Sequence, residues 1–551
     1  MKTLSYLISI IMLTAMPLFT AFASDSDGIM FKDKKTEWLR KAEEAKPALV
    51  ETIYRPLCLV TPVKDETAYQ GWRMEKTGEL STYYQTNLSA APNVTVDFGR
   101  HMTGYFTFRI RTVRGAQDAP MRLKFTFGEV PAEMATPFDP FPGGLSRAWM
   151  QDETITIEHI DREITIPRRI SGRYMRIELL GASSGFDFAM DDIYFTACSS
   201  AAEVKVEPLG DNVPEMIRRI NEVSFETLRE CMQTVYEDGP KRDHRLWVGD
   251  LYLESLANRH SFRNFELTKR CLYLFAGLTA DDGTIISNLF EHPEPHPQYG
   301  SYMLTYSLLF NSTLLEYLKD TGDLETANDL WEVAERQVED ALTYVNDDYI
   351  FDKSRKNVWI FFDWRDGLDV DAPIQAAVIF GLNQTYELAQ MLGKENEVKL
   401  WKTYEKNMIK AARKHLYDKK RGVIVSGPSQ QVSVMSQAWM IKAGVLDAAE
   451  GQRAIKTVLA DSSTVMPGTP YATHYLVDAM LLCGMNEEAK AYVIDYWGGM
   501  VNKAADTFWE AYDPKNDYIS PYGFHPLNSY CHAWSCTPVY FIYTYPEIFQ
   551  K

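Results

Sequence analysis

The chain has 551 residues, a formal net charge of −18, and 46% hydrophobic and 13% aromatic side chains. This apolar content excludes a disordered or low-complexity chain, and the acidic balance argues against nucleic-acid binding, which needs a basic surface. The seven cysteines are too few for a disulfide scaffold and show no paired zinc-ligand spacing, so we predict no metal and no cofactor.

Residues 1–24 form a predicted secretory signal peptide. Lys2 gives a basic start, residues 4–22 are mostly apolar, and residues 21–24 (Ala-Phe-Ala-Ser) form a small-residue cleavage site. The alternative is a membrane anchor, but polar residues 25–27 follow without a stop-transfer charge cluster, and no later run reaches the roughly 18 apolar residues of a span. We therefore expect a periplasmic, cell-surface or secreted bacterial protein with no membrane span after signal removal.

Apolar and polar residues alternate with a period of two in several short runs between residues 50 and 200. The clearest runs are residues 94–98, 105–111, 121–127, 154–158 and 174–179. Many short, half-buried strands separated by Gly, Pro, Asp and Asn are typical of an antiparallel β-sandwich. We assign this domain to residues 25–205 and predict a short helix over residues 30–46.

After residue 205 the hydrophobic period changes to 3.6, which predicts helices. Gly322, Gly393 and Gly484 each lie at a junction where acidic residues follow, and Gly444 is a weaker fourth case. Glycine suits the left-handed residue that ends a helix, and acids suit the start of the next one. Serial helical hairpins predict a closed (α/α) toroid over residues 206–551.

Four segments of the helical region combine carboxylates with tryptophan and with arginine or histidine. They are residues 237–250, 361–367, 504–511 and 528–535. Their plainer readings are a solvated charged loop, a capped turn, a glutamate that reaches from a helix to solvent, and a core histidine. Carboxylates, Trp and Arg that converge without a phosphate-binding glycine loop favour a carbohydrate site.

Glycoside hydrolysis needs two carboxyl groups that flank one bond, an acid on one side and a base or nucleophile on the other. Loops at one end of a toroid can bring together such a pair from distant parts of the chain. Residues 291–296 contain two Glu and two His, but their prolines prevent the helical histidine pair of a zinc protease.

The four segments together resemble the bacterial and fungal α-L-rhamnosidases of glycoside hydrolase family 78. The first segment is the most specific, since the family's Asp, Pro-x-Arg, acid, Trp and Gly-Asp are matched by Asp238, Pro240, Arg242, Asp243, Trp247, Gly249 and Asp250. Residues 97–105 resemble part of the sandwich that precedes the family's catalytic domain. The resemblance implies an N-terminal antiparallel β-sandwich followed by an (α/α)6 barrel. It also implies inverting hydrolysis of terminal α-L-rhamnosides, in a compact form that lacks the C-terminal β-domain of typical members.

The resemblance also implies roles for individual residues. Asp243 corresponds to the general acid and Glu510 to the general base. The implied substrate-binding residues are Asp238, Arg242, Trp247, Asp250, Asp363, Trp364, Trp509 and His532. The implied partner is a carbohydrate, and nothing in the sequence indicates the oligomeric state.

The chain departs from the family at the acid, where many members have Glu and this chain has Asp243 followed by His244. Aspartate is one methylene shorter, and His244 is the alternative acid.

Two other functions stay open. One is a toroid glycosidase that acts on another deoxysugar or a uronic acid, for which Arg242, Arg245 and Arg365 could supply positive charge; the other is a non-catalytic carbohydrate-binding homologue.

Overall fold

The computed structural model describes residues 28–201, 204–356 and 358–551, so the predicted signal peptide lies outside the described residues. An antiparallel β domain precedes a helical domain, which confirms the predicted fold class. The strands of the β domain are β1 Val50–Tyr54, β2 Cys58–Lys64, β3 Trp72–Gly78, β4 Asn93–Arg114, β5 Met121–Gly128, β6 Asp152–Ile157, β7 Glu163–Thr165, β8 Ile170–Gly181 and β9 Asp187–Ser199.

The long strand β4 belongs to both layers of the β domain. Its first half pairs with β8 and β2, and its second half pairs with β9 and β7. Phe108 of β4 lies 4.9 Å from Phe125 of β5 between ring centroids, although β8 separates these two strands in the sheet. The alternating apolar residues of the two layers therefore face one another and form the sandwich core.

The predicted N-terminal helix is present as α1, Lys32–Glu44. It packs against a helix of the C-terminal domain, Phe265–Gly277, and the buried Arg270 donates a hydrogen bond to the Ala42 carbonyl at 2.7 Å. Two short helices, α2 Leu80–Tyr83 and α3 Pro131–Ala135, lie within the β domain. The segment before the first strand is thus bound to the helical domain that follows it in sequence.

The C-terminal domain consists of helices with a few two- and three-residue strands. Its helices are α4 Glu215–Cys231, α5 Val248–Asn258, α6 Phe265–Gly277, α7 Leu304–Thr321, α8 Leu324–Asp329, α9 Trp331–Thr343, α10 Asp371–Leu392, α11 Trp401–His415, α12 Val434–Lys442, α13 Ala448–Ala460, α14 Pro470–Leu482, α15 Asn486–Asn502, α16 Pro538–Thr544 and α17 Pro546–Phe549. The short strands are β10 Leu246–Trp247, β11 Asn288–Phe290, β12 His296–Pro297, β13 Tyr417–Asp418 and β14 Val423–Ile424.

Inner and outer helices alternate along the chain and form a ring of six hairpins. The inner helices are α5, α7, α10, α12, α14 and α16, and the outer helices are α4, α6, α9, α11, α13 and α15. Every residue of α5 is buried, whereas α11 buries one stripe that includes Trp401 and Met408. His474 of α14 stacks on Phe541 of α16 at 5.0 Å between centroids, and α16 contacts α5, which closes the ring.

The glycines of the predicted helix junctions adopt the left-handed conformation. Gly322 and Gly393 cap α7 and α10 with φ of 70° and 71°, and Gly484 and Gly444 have φ of 72° and 70°. A side chain with a Cβ is strained in this conformation, so glycine allows each hairpin to reverse sharply. None of the helices in the described residues combines the length and apolar character needed to cross a bilayer.

Candidate active site

A pocket opens at the N-terminal ends of the inner helices. It is lined by Asp250 in the first turn of α5, Tyr306 in the first turn of α7 and Trp364 in the segment that precedes α10. Residues 238–247, here called the catalytic loop, form the second part of the connection from α4 to α5 and contribute five of the lining residues: Asp238, Arg242, Asp243, Arg245 and Trp247. The segments between helices therefore meet at one end of the ring.

Arg242 joins the two predicted catalytic carboxylates across this pocket. Its Nη1 donates to Asp243 Oδ1 at 2.9 Å and its Nη2 donates to Glu510 Oε2 at 2.6 Å, while Nε donates to the Leu527 carbonyl at 3.0 Å. Asp243 also lies 3.4 Å from Nη1 of Arg245. Two acids that are 267 residues apart in sequence thus border one pocket, and a single guanidinium fixes their separation.

Glu510 is buried and is held through both oxygens. Tyr522 donates its hydroxyl to Oε1, and the Ser529 backbone N–H donates to Oε2 at 3.0 Å. Burial alone would raise the pKa of Glu510, but Arg242, His532, Tyr522 and the Ser529 amide outweigh it and hold the pKa below the usual 4.5. Glu510 is therefore a carboxylate at neutral pH and can accept a proton.

Asp238 and Asp250 are also buried in the pocket, and both favour the neutral acid. Burial raises the pKa of Asp238 well above its ordinary value, and the charge of Asp243 adds to this. Burial likewise raises the pKa of Asp250, with Asp238 as the next contribution. Asp238 accepts the backbone N–H of Asp243 at 3.2 Å and that of Arg245 at 3.1 Å, so it also shapes the catalytic loop.

His532 lies against Asp250, with 3.6 Å between His532 Nδ1 and Asp250 Oδ1. Burial lowers the pKa of His532 to about 4, although Glu510 opposes this shift. Within the described part of the chain, His532 Nδ1 and Asp250 Oδ1 have no hydrogen-bond partner. Buried polar atoms without a partner in a pocket are suited to bind the hydroxyl groups of a ligand.

His244, unlike its neighbour Asp243, is not among the residues that line the pocket. Its ring meets the Trp149 ring edge-on at 5.9 Å between centroids, and burial, reinforced by Arg169, lowers its pKa to about 3. A neutral imidazole carries no acidic proton near pH 7, so His244 is poorly suited to the role of general acid.

Aromatic side chains form the walls of the pocket. Trp534 packs on the ring of His532 at 4.3 Å between centroids, and Phe361 lies 4.9 Å from Trp364. The remaining aromatic lining residues are Trp149, Trp247, Tyr306, Trp359 and Tyr522. Flat apolar faces beside acids and an arginine are typical of sites that bind sugars.

Eight of the ten predicted site residues line this pocket. They are Asp238, Arg242, Asp243, Trp247, Asp250, Trp364, Glu510 and His532. The structure thus brings together residues from all four segments that the sequence analysis selected.

Two predicted site residues lie elsewhere. The Trp509 ring is 1% exposed and stacks on Tyr69 of the β domain at 4.0 Å between centroids, which corrects its predicted place in the pocket wall. Asp363 accepts hydrogen bonds at 2.7 Å from the Gly468 backbone N–H and from the Thr469 hydroxyl, at the start of α14. Burial raises the pKa of Asp363 to about 6. Both residues therefore support the site from behind and do not face its cavity.

Several lining residues were not predicted. Leu145 and Trp149 belong to the β domain, and no local pattern connects them with a site in the barrel. Tyr522 lies in a Pro- and Gly-rich stretch next to the fourth segment, and Trp359 precedes the second segment by two residues; their proximity to those segments was the available signal. In the described residues, no group of three or more His, Cys, Asp and Glu side chains is placed to hold a metal ion.

Two family models match the chain over both domains. Residues 56–197 match the glycosyl hydrolase family 78 alpha-rhamnosidase N-terminal domain. Residues 213–545 match the bacterial alpha-L-rhamnosidase six-hairpin glycosidase domain. A comparison with curated protein sequences gives no significant match.

Solved structures show the same arrangement. A rhamnosidase from Klebsiella oxytoca, solved with rhamnose bound, is 38% identical, with 93% of this chain and 99% of that chain covered and a TM-score of 0.89. A family 78 rhamnosidase of a Bacillus species is 18% identical, with 82% of this chain and 46% of that chain covered and a TM-score of 0.67. An Aspergillus terreus α-L-rhamnosidase is 13% identical, with 90% and 54% covered and a TM-score of 0.65. The chain spans about half the length of the Bacillus and Aspergillus proteins, and these two comparisons show similarity of fold alone.

Proposed function

The chain belongs to the α-L-rhamnosidases of glycoside hydrolase family 78, and from this we propose that it releases terminal α-L-rhamnose from glycosides with inversion at the anomeric carbon. The observation that carries the proposal is the bridge from Arg242 to both Asp243 and Glu510. This bridge sets two carboxyl groups at the edge of one pocket, which is the requirement for hydrolysis of a bond between them.

In the proposed reaction Asp243 protonates the glycosidic oxygen as the bond to the anomeric carbon breaks. Glu510 removes a proton from a water that attacks the opposite face of the sugar ring. The lowered pKa of Glu510 supports the role of base, since the group must be ionised before it accepts the proton. The neutral His244, with its ring against Trp149, supports Asp243 as the acid.

The rest of the pocket would bind the sugar. Asp238 and Asp250, whose raised pKa values favour the protonated form, can donate hydrogen bonds to sugar hydroxyls, and the neutral His532 can donate or accept one. Trp247 and Trp364 provide the apolar faces that a deoxysugar with a methyl group needs.

A neutral deoxysugar fits the charge balance of the pocket better than a uronic acid. Arg242 is already paired with Asp243 and Glu510, and Arg245 lies 3.4 Å from Asp243. Arg365 donates to the carbonyls of Met466 and Pro467, both at 3.0 Å. Little uncompensated positive charge is therefore directed at a substrate carboxylate.

Export through the N-terminal 24 residues belongs to the same proposal and is supported by their composition.

Variants of the two carboxylates test the proposal on an aryl α-L-rhamnoside. Glu510→Ala and Asp243→Asn should each lower kcat by about 10²–10⁴-fold, the usual contribution of a general acid or base. Glu487→Ala, which removes an exposed carboxylate at the start of α15, is the matched control and should retain wild-type kcat. Near-full activity of folded Glu510→Ala protein, or no hydrolysis of any α-L-rhamnoside by the wild type, contradicts the proposal.

A further inference from the structure

One wall of the pocket is supplied by the β domain. Residues 136–151, here called the sandwich loop, connect α3 to β6 and place Leu145 and Trp149 in the lining of the pocket that contains Asp243 and Glu510. Leu145 is 36% exposed, although its side chain is apolar. Apolar side chains that face an active-site cavity are suited to contact a ligand.

The sandwich loop is held rigidly by charged side chains. Arg147 pairs with Asp139 through Nε and Nη2 at 3.0 and 2.9 Å, and with Asp152 through Nη1 and Nη2 at 2.7 and 2.8 Å. Arg168 donates to the Ala148 carbonyl at 2.9 Å. These contacts fix both ends of the turn that carries Trp149, so its ring is positioned before a ligand binds.

The sandwich loop also packs on the barrel segment that supports the two carboxylates. The Gly144 backbone N–H donates to the Tyr522 carbonyl at 2.9 Å, and Phe141 meets Phe524 edge-on at 5.7 Å between centroids. Gly143 lies so close to Leu527 that an added Cβ would be 2.4 Å from its Cδ1. The position of the loop is therefore coupled to the position of the active site.

The place of the leaving group follows from the roles of the acids, and this step rests on the proposed function. Asp243 has to lie within hydrogen-bond reach of the glycosidic oxygen, so the group beyond that oxygen lies on the Asp243 side of the pocket. We place Trp149 on this side, since it lines the same pocket as Asp243 and its ring meets that of His244, the residue after Asp243. The rhamnose itself occupies the cavity between the two carboxylates.

We propose that Leu145 and Trp149 of the sandwich loop form the subsite for the leaving group, and that this subsite selects a leaving group with a flat apolar face. Such a face is present in an aromatic ring and in the apolar side of a pyranose. The Trp149 indole would stack on it and Leu145 would cover its edge. The β domain is then a part of substrate recognition in addition to being a support for the barrel.

Three substrates separate this subsite from an effect on the acid. 2,4-Dinitrophenyl α-L-rhamnoside has an aromatic leaving group, whereas the leaving group of α-L-rhamnosyl fluoride is a fluoride ion without an apolar face. Neither substrate needs much protonation by Asp243. An α-L-rhamnosyl-glucose disaccharide presents a pyranose. Trp149→Ala should lower kcat/KM by about tenfold on the dinitrophenyl substrate, with or without a loss on the disaccharide, and should keep the fluoride within about twofold of wild type. An additional loss on the disaccharide shows that a pyranose also uses the subsite, whereas a loss on the disaccharide alone indicates an effect on the acid and overturns the subsite.

Two variants complete the test. Leu145→Ala should show the same pattern with a smaller loss, and Trp72→Ala, a tryptophan of β3 outside the pocket, should leave all three rates unchanged. Equal losses on all three substrates, or no loss on any, overturn the subsite. If the wild type cleaves none of them, the proposed rhamnosidase activity has failed instead, so the two failures are distinguishable.

Discussion

Lys241 of the catalytic loop binds the β domain through two buried ion pairs. Its Nζ lies 2.7 Å from Glu133 Oε1 and 3.0 Å from Glu129 Oε2, and its side chain is 4% exposed. Glu129 also accepts the Tyr530 backbone N–H at 2.7 Å and contacts His101 Nε2 at 3.0 Å. We predict that Lys241→Met, which removes the cation shared by both glutamates, destabilises the protein and disturbs the catalytic loop.

The expected size of the loss follows from the burial of this cluster. Breaking a buried ion pair from one side costs about 3–5 kcal/mol, because the remaining charge has no compensation. The unfolding entropy is about 2.1 cal/mol/K per residue, so the free energy of unfolding of the whole chain changes by about 1 kcal/mol per kelvin near Tm. The loss should therefore lower Tm by about 3–5 °C. In the wild type, burial opposes ionisation of Glu129, but Lys241 and His101 lower its pKa to about 2. Lys241→Met removes the first of these two cations, so the buried carboxylate must either remain charged without it or take up a proton, and both cost stability.

Calorimetry and kinetics of matched variants check this prediction at pH 7. Glu133→Gln added to Lys241→Met removes one uncompensated carboxylate and should restore more than half of the lost Tm. Lys442→Met is the control, since Lys442 forms a buried ion pair with Asp478 at 2.6 Å between α12 and α14, away from the catalytic loop. It should lower Tm without lowering kcat/KM, whereas Lys241→Met should lower both. A Lys241→Met protein with Tm within about 1 °C of wild type refutes the reasoning.

Two further variants probe the site. Tyr522→Phe removes one cause of the lowered pKa of Glu510, which lies below the usual 4.5. At low pH kcat/KM falls as Glu510 is protonated, and this acid limb of the pH profile should move to higher pH in the variant; an unmoved limb contradicts the prediction. Asp363→Ala removes the acceptor for Gly468 and Thr469 and should cost about 1–3 kcal/mol of unfolding free energy with KM unchanged, whereas full stability with a raised KM would indicate substrate contact.

The fold was predictable because its signals are local. The change of hydrophobic period from two to 3.6 separates the two domains, and the glycines at the helix junctions, such as Gly322 and Gly393, indicate the hairpins before any tertiary contact is known. The packing of α1 on α6 had no such signal, because it joins segments more than 200 residues apart through pairs such as Arg270 and the Ala42 carbonyl.

The site was predictable where residue type and chemistry agree. The segments of Asp243 and Glu510 were selected because each combines carboxylates with tryptophan, and the resemblance to family 78 selected these two acids within them; the two acids do share a pocket. Trp509 has the same composition around it but turns to Tyr69 of the other domain, a partner that the sequence does not reveal. Trp149 was missed for the converse reason, since it reaches the pocket from a loop with no motif of its own.

The stereochemistry of the first product tests the central claim, that Asp243 and Glu510 act from opposite sides of one bond. Proton NMR of the wild-type reaction on an aryl α-L-rhamnoside, recorded before mutarotation, should show β-L-rhamnose first and the α anomer only later. Release of α-L-rhamnose as the first product would mean that one carboxylate attacks the sugar directly, and would contradict the assignment of Glu510 as a base that activates water.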